Sequence, residues 1–112
     1  MKRVTRFSQL SAPRQALVRL LQSVNFGFIS DLEIRGGEPV FSPAPTVIVE
    51  VKLEAENDPR EESNSLDFEL RAELVRLMQQ LDLLQNGDVD RIDVRFGVPR
   101  RALIERPIRE VR

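Results

Sequence analysis

The chain of 112 residues contains no histidine, cysteine, tyrosine or tryptophan, and only two lysines, Lys2 and Lys52. Each absence removes a class of function. Without His and Cys there is no imidazole general base, no thiolate nucleophile and neither of the two commonest transition-metal ligands. Catalysis would fall to carboxylates, to the two lysines or to an unusually activated serine. We therefore expect no enzyme, no cofactor and no metal. No apolar run approaches the ~18 residues that a membrane span needs, so no membrane association is expected. Residues 1–11 are basic but lack the continuous apolar centre of a secretion signal, which makes the cytoplasm the expected compartment; the lack of cysteine fits it.

What is present describes an ordinary folded protein. Hydrophobic residues make up 41% and charged residues 31%, enough for one small domain that hides roughly two-thirds of its extended surface. The net charge of -1 conceals a polarity. Residues 1–24 carry five basic side chains and no acid; residues 25–73 carry twelve acids against four bases; residues 74–112 carry eight arginines against six acids. The middle is acidic and both ends are basic.

The pattern that organises the chain is a repeat. Ala16-Leu17-Val18-Arg19-Leu20-Leu21-Gln22 is echoed by Glu73-Leu74-Val75-Arg76-Leu77-Met78-Gln79. Beyond each copy, residues 27–52 lie over residues 87–112, pairing Gly27 with Gly87, Arg35 with Arg95, Gly37 with Gly97, Pro39 with Pro99 and Glu50 with Glu110. An internal duplication follows, with repeats over about 11–53 and 65–112 in a single domain spanning 1–112, joined by an acidic linker at 54–64.

Taken in order, residues 1–10 read as an arm that Phe7 and Leu10 could anchor. Ser11 caps a first helix, with Pro13 tolerated in its opening turn. Ala16, Leu17, Leu20, Leu21 and Val24 form its apolar stripe. Asn25 and Gly27 close it. Residues 28–35 alternate as a half-buried strand, and Gly36-Gly37 marks a tight reversal. Pro39, Pro43 and Pro45 make residues 38–45 either an irregular edge or a loop. Residues 46–53 form the true return strand, with Val47, Val49, Val51 and Leu53 facing inward. Asn64 or Ser65 caps a second helix of about five turns, with Asp67 and Glu69 in its first turn and Leu66, Leu70, Leu74, Leu77, Met78, Leu81 and Leu84 along its stripe. A second hairpin follows Asn86-Gly87, with Ile92 and Val94 inward, a turn at Phe96-Gly97 and a return strand that Pro107 breaks in two.

One α-β-β unit has too little apolar surface to fold alone, and two can pair. The expected class is α+β: a four-stranded antiparallel sheet with both helices on one face. A ferredoxin-like sandwich with its first strand moved to the end is one arrangement of this kind. Exchange of the return strands across a dimer interface is another.

Leu20-Leu21, Asn25-Phe26-Gly27, the alternation from Ile29 to Ile34, Gly37, Val40 and Ile48-Val49 resemble the YezD-type small bacterial proteins. These are short chains with a helix, an aromatic-glycine step and a hairpin, and no established activity. The resemblance covers about 30 residues of each copy, and Asn86 departs from it by replacing the aromatic before Gly87. It implies that this chain carries in tandem what shorter relatives assemble by homodimerising. It supplies no catalytic residue.

Two constellations remain. Asp31, Glu33 and Glu50 could do acid-base work or hold a divalent cation, since hard cations take oxygen ligands, but Arg35 and Lys52 compensate them and favour cross-strand ion pairs. Arg91, Arg95, Arg100, Arg101, Arg106 and Arg109 could bind nucleic acid with help from the basic amino-terminal arm, since guanidinium groups suit phosphate. Interleaved acids and the shortage of aromatics weigh against them. The expected function is that of a non-enzymatic protein-association module that forms a homo-oligomer, a dimer, through its edge strands. A different protein partner and nucleic acid are the alternatives.

Overall fold

The computed structural model of the protein describes residues 4–54 and 67–106. In the arm, Phe7–Gln9 form a short 3-10 helix, and Phe7 and Leu10 are buried. The Phe7 N–H donates to the Phe68 carbonyl at 2.9 Å and the Leu70 N–H to the Thr5 carbonyl at 2.7 Å. The Phe7 and Phe68 rings stack at 5.0 Å. The Asp67 carboxylate accepts from Arg6 Nε at 2.9 Å and from the Ser8 N–H at 2.8 Å.

These contacts account for the first departure from expectation. Helix α2 spans Ala72–Leu84, the same thirteen residues in length as α1, Ala12–Val24. It is not the longest element, and Asp67 and Glu69 do not lie in its first turn. The spacing of Leu66 and Leu70 continues the helical stripe, but residues 67–70 bond to the amino-terminal segment instead of coiling. The proposed caps Asn64 and Ser65 lie outside the described residues, as does Leu66. In α1 the Ser11 side chain accepts from the Arg14 N–H, as a capping serine should.

The strands are β1 (Phe26–Arg35), β2 (Glu38–Val40), β3 (Thr46–Val49), β4 (Gly87–Arg95) and β5 (Val98–Ile104). All pair antiparallel, in the order β2-β1-β4-β5, with β3 also on β1. Among the described residues the sheet therefore has five strands where four were expected. The first return path is split, because residues 41–45, with Pro43 and Pro45, loop out between β2 and β3. The second return path is unbroken to Ile104; residues 107–112, with Pro107, Ile108 and Val111, lie outside the described residues. The first strand of each hairpin is central and the return strands are at the edges. A ferredoxin-like sandwich permuted as above would place the return strands side by side in the middle.

The β1–β4 pairing is self-complementary. Ile29 faces Ile92 and Leu32 faces Val89, and adding 60 to Ile29 and to Leu32 gives Val89 and Ile92. Asp31, at φ 60°, shifts the alternation of β1, so that Ile29, three residues before Leu32, is buried along with it. Ile29, Leu32, Ile34, Val89, Ile92 and Val94 form the sheet side of one core. Leu17, Val18 and Leu21 of α1 and Leu74, Leu77, Met78 and Leu81 of α2 complete it. The helical core positions correspond at the same spacing of 60: Leu17 with Leu77, Val18 with Met78, Leu21 with Leu81. The Leu-Val-Arg-Leu echo, spaced by 57, is thus displaced by about one helical turn from the structural equivalence.

Candidate functional site

Among the described residues two surfaces lie outside the cover of the helix layer. The first is the outer sheet face. Phe26 and Phe28 alternate with the core-facing Ile29 side of β1, and in register they stand opposite Arg95 and Asp93. Asp93 in turn stands opposite Arg101 of β5. Its carboxylate accepts from Arg91 Nε at 2.7 Å and from Arg101 Nε at 3.0 Å. Those two guanidinium groups, Arg91 foremost, hold the Asp93 carboxyl below its usual range against the opposing effect of partial burial. Arg91 lies over the Phe28 ring, its central carbon 3.9 Å from the centroid. Phe26 meets Phe96 edge-on at 4.8 Å, and Lys52 lies 5.1 Å from the Phe26 centroid. A shallow depression of about 690 Å³ opens among these side chains, with Ile48 and Glu50 at its rim.

Four of the six candidate arginines, Arg91, Arg95, Arg100 and Arg101, border this depression, though the Arg100 guanidinium reaches to the helix side and pairs with Glu73 of α2 at 3.7 Å. Arg106 does not: it bonds Gln80 of α2 at 2.5 Å, on the helix side. Arg109 lies outside the described residues. Phe26 and Phe28 were not among the candidates, because their proximity to the arginines depends on the β1–β4 register. The acidic trio does not assemble. Glu33 bonds Arg35, and the Glu50 N–H donates to the Phe26 carbonyl, which sets Glu50 five residues along β1 from Asp31. Among the described residues no three acidic side chains come close enough to hold a metal ion.

Comparison of this chain with protein-family models, with curated proteins and with solved structures finds no match.

The second surface is the free edge of β3. The bond from Glu50 to Phe26 shows that Thr46, Ile48 and Glu50 turn their backbone groups toward β1, so Val47, Val49 and Val51 turn theirs outward. Among the described residues no strand lies beyond them. Val47 and Val49 stand opposite Ile29 and Gly27 and so share the core side of the sheet, as their alternation suggested. They are not inward in the sense expected. Val49 is 48% exposed, Val51 60% and Leu53 95%, because this rim of the sheet reaches past the helix layer. The other edges are guarded. Strand β2 is three residues long and contains Pro39, and β5 carries Arg100, Arg101 and a register shift. Strand β3 has neither charge nor proline nor bulge. Among the described residues no helix is long and apolar enough to cross a membrane.

Proposed function

We propose that this chain is a non-enzymatic protein-association module, built from a duplicated α-β-β unit, that pairs with a second copy of itself through the free edge of β3. The observation that carries the reading is the uncovered stripe Val47, Val49, Val51 and Leu53 beside outward-facing backbone groups. An unguarded apolar edge is a template for another strand. A two-fold antiparallel pairing centred on Val49 sets Val47 against Val51 of the second copy. It places all three outward-facing residues in hydrogen-bonding register and joins two sheets into one.

Support for the duplication comes from the common spacing of 60. It relates α1 to α2, β1 to β4 and the turn Gly36-Gly37 to Phe96-Gly97, where both central residues take positive φ in each case. Under this reading the likeness to the YezD-type proteins has a counterpart: the β1–β4 seam is the contact that a shorter relative would make with a second chain. Sedimentation across a wide concentration range tests the function. The proposal expects a dimer that dissociates on dilution; a concentration-independent monomer contradicts it.

A further inference from the structure

The outer sheet face lies apart from the β3 valine stripe and stays open when two edges pair. Around its depression stand Arg91, Arg95 and Arg101, with Lys52 over the adjoining Phe26 ring, four cations against two acids, Asp93 and Glu50; Arg100 borders it too but pairs with Glu73 of α2 at 3.7 Å. Four minus two leaves a local charge of +2 on a chain whose net charge is -1. This is a positive patch on an acidic protein. An anion would be drawn to it, and the question is which kind.

The aromatic rings answer. We propose that this face binds single-stranded nucleic acid. An acidic protein segment would need only the charges, whereas here they are interleaved with flat surfaces. Arg91 covers the Phe28 ring and is held there by Asp93, so its outer face is a ready platform for a base. The Phe26 and Phe96 rings adjoin it, and Phe96 is 59% exposed. Unstacked bases lie on aromatic and guanidinium planes, while the backbone phosphates follow neighbouring cations. Among the described residues Arg95 makes no ion pair, which leaves its full charge for phosphate. Asp93 orients Arg91 and Arg101 and touches no ligand itself. Four strands at ~4.8 Å spacing give a face about 14 Å across, room for a few nucleotides.

The test is fluorescence anisotropy with a labelled mixed-sequence oligonucleotide of about ten nucleotides, titrated with the full chain at about 50 and about 200 mM salt. Saturable binding is expected, at least about tenfold weaker at the higher salt. Arg95→Glu alone should weaken it several-fold, and Arg95→Glu with Arg101→Glu by about tenfold or more, with the thermal midpoint and the association state retained. Phe28→Leu, which keeps apolar volume but removes the ring, should also weaken it about fivefold or more. The proposal is overturned if the oligonucleotide does not bind at low salt, or if Arg95→Glu binds as well as the parent. It is overturned equally if Phe28→Leu has no effect, or if polyglutamate or a duplex of the same length binds as tightly; polyglutamate would reassign the face to an acidic protein segment.

Discussion

The Gly37 N–H donates to the Gln85 carbonyl at 2.8 Å, carrying the first hairpin turn onto the end of the second helix. The reciprocal bond is present: the Gly97 N–H donates to the Asn25 carbonyl at 3.0 Å. Each half thus closes the helix end of the other. The acceptors are themselves held in an uncommon conformation, Asn25 at φ 62°, ψ -59° and Gln85 at φ 62°, ψ -64°. At Gln85 this is a γ-turn of positive φ, closed by the Asn86 N–H on the Leu84 carbonyl at 2.7 Å.

Residues other than glycine are strained in that conformation, and the Asn25 Oδ1 is in addition buried without a partner among the described residues. Asn25→Gly and Gln85→Gly should each stabilise the fold, by about 1 kcal/mol. Thermal unfolding reads this as a midpoint raised by several degrees, with the larger gain at Asn25. A lowered midpoint in both variants would show that the side chains serve a purpose that the strain argument misses.

Gly27 stands opposite Val49 of β3, where the backbone of β3 leaves no room for a side chain. A Cβ there would lie 2.0 Å from the Ile48 carbonyl oxygen, and its φ is 147°. Gly87, the corresponding residue, would meet only the flexible Leu84 side chain at 3.0 Å. Gly27→Ala should therefore cost about 2 kcal/mol or more, prise β3 from the sheet and abolish self-association. Gly87→Ala should cost less and leave association intact. Denaturant titration with sizing of both variants checks the contrast.

How much of this was legible beforehand depended on range. Ser11, Gly36-Gly37 and the alternation in residues 31–35 are local signals, and the elements they announced are present. The start of α2 was not local: Leu70 keeps helical spacing, but it bonds Thr5, 65 residues away. The true spacing of the helices was obscured because a leucine stripe repeats each turn, so a match shifted by three residues reads almost as well. Most consequential, a β-branched run such as residues 46–49 reads the same whether a helix or a second chain covers it. At the outer face, Arg91 was recognisable as a candidate for phosphate, but the register that brings Phe28 beneath it was not encoded in any short stretch.

The clasp between the amino-terminal segment and the approach to α2 should respond to acid. The Arg6 guanidinium, followed by the Ser8 N–H, lowers the Asp67 pKa from 3.8 to about 2. A depressed carboxyl stabilises the fold fully above its unfolded value and loses that contribution as pH falls through the folded one. The stability difference between the parent and Asp67→Asn should accordingly be constant above about pH 5 and vanish toward about pH 2. Denaturant midpoints across that window measure it. A difference that persists unchanged at the acid end would mean that the Asp67 charge is not what holds the clasp.

Because the chain has no cysteine, single substitutions can map the proposed edge pairing. On the two-fold axis, Val49→Cys would bring two sulfurs together across strands whose Cα atoms are ~5.5 Å apart, within disulfide range. Mild oxidation should give a covalent dimer. Thr46→Cys, three residues from the axis on each copy, would leave its sulfurs roughly 20 Å apart and should stay uncrosslinked. Equal crosslinking at both positions would indicate random collision instead of a registered pair.

Light scattering on the parent and on Val49→Lys tests the central claim most directly, since a lysine at this exposed position leaves the monomer fold intact but buries two unpaired charges in the proposed contact. The account predicts the mass of two chains for the parent and of one chain for the variant, with identical circular dichroism. A parent that stays at one chain at every concentration, or a variant that still forms the dimer, would contradict it.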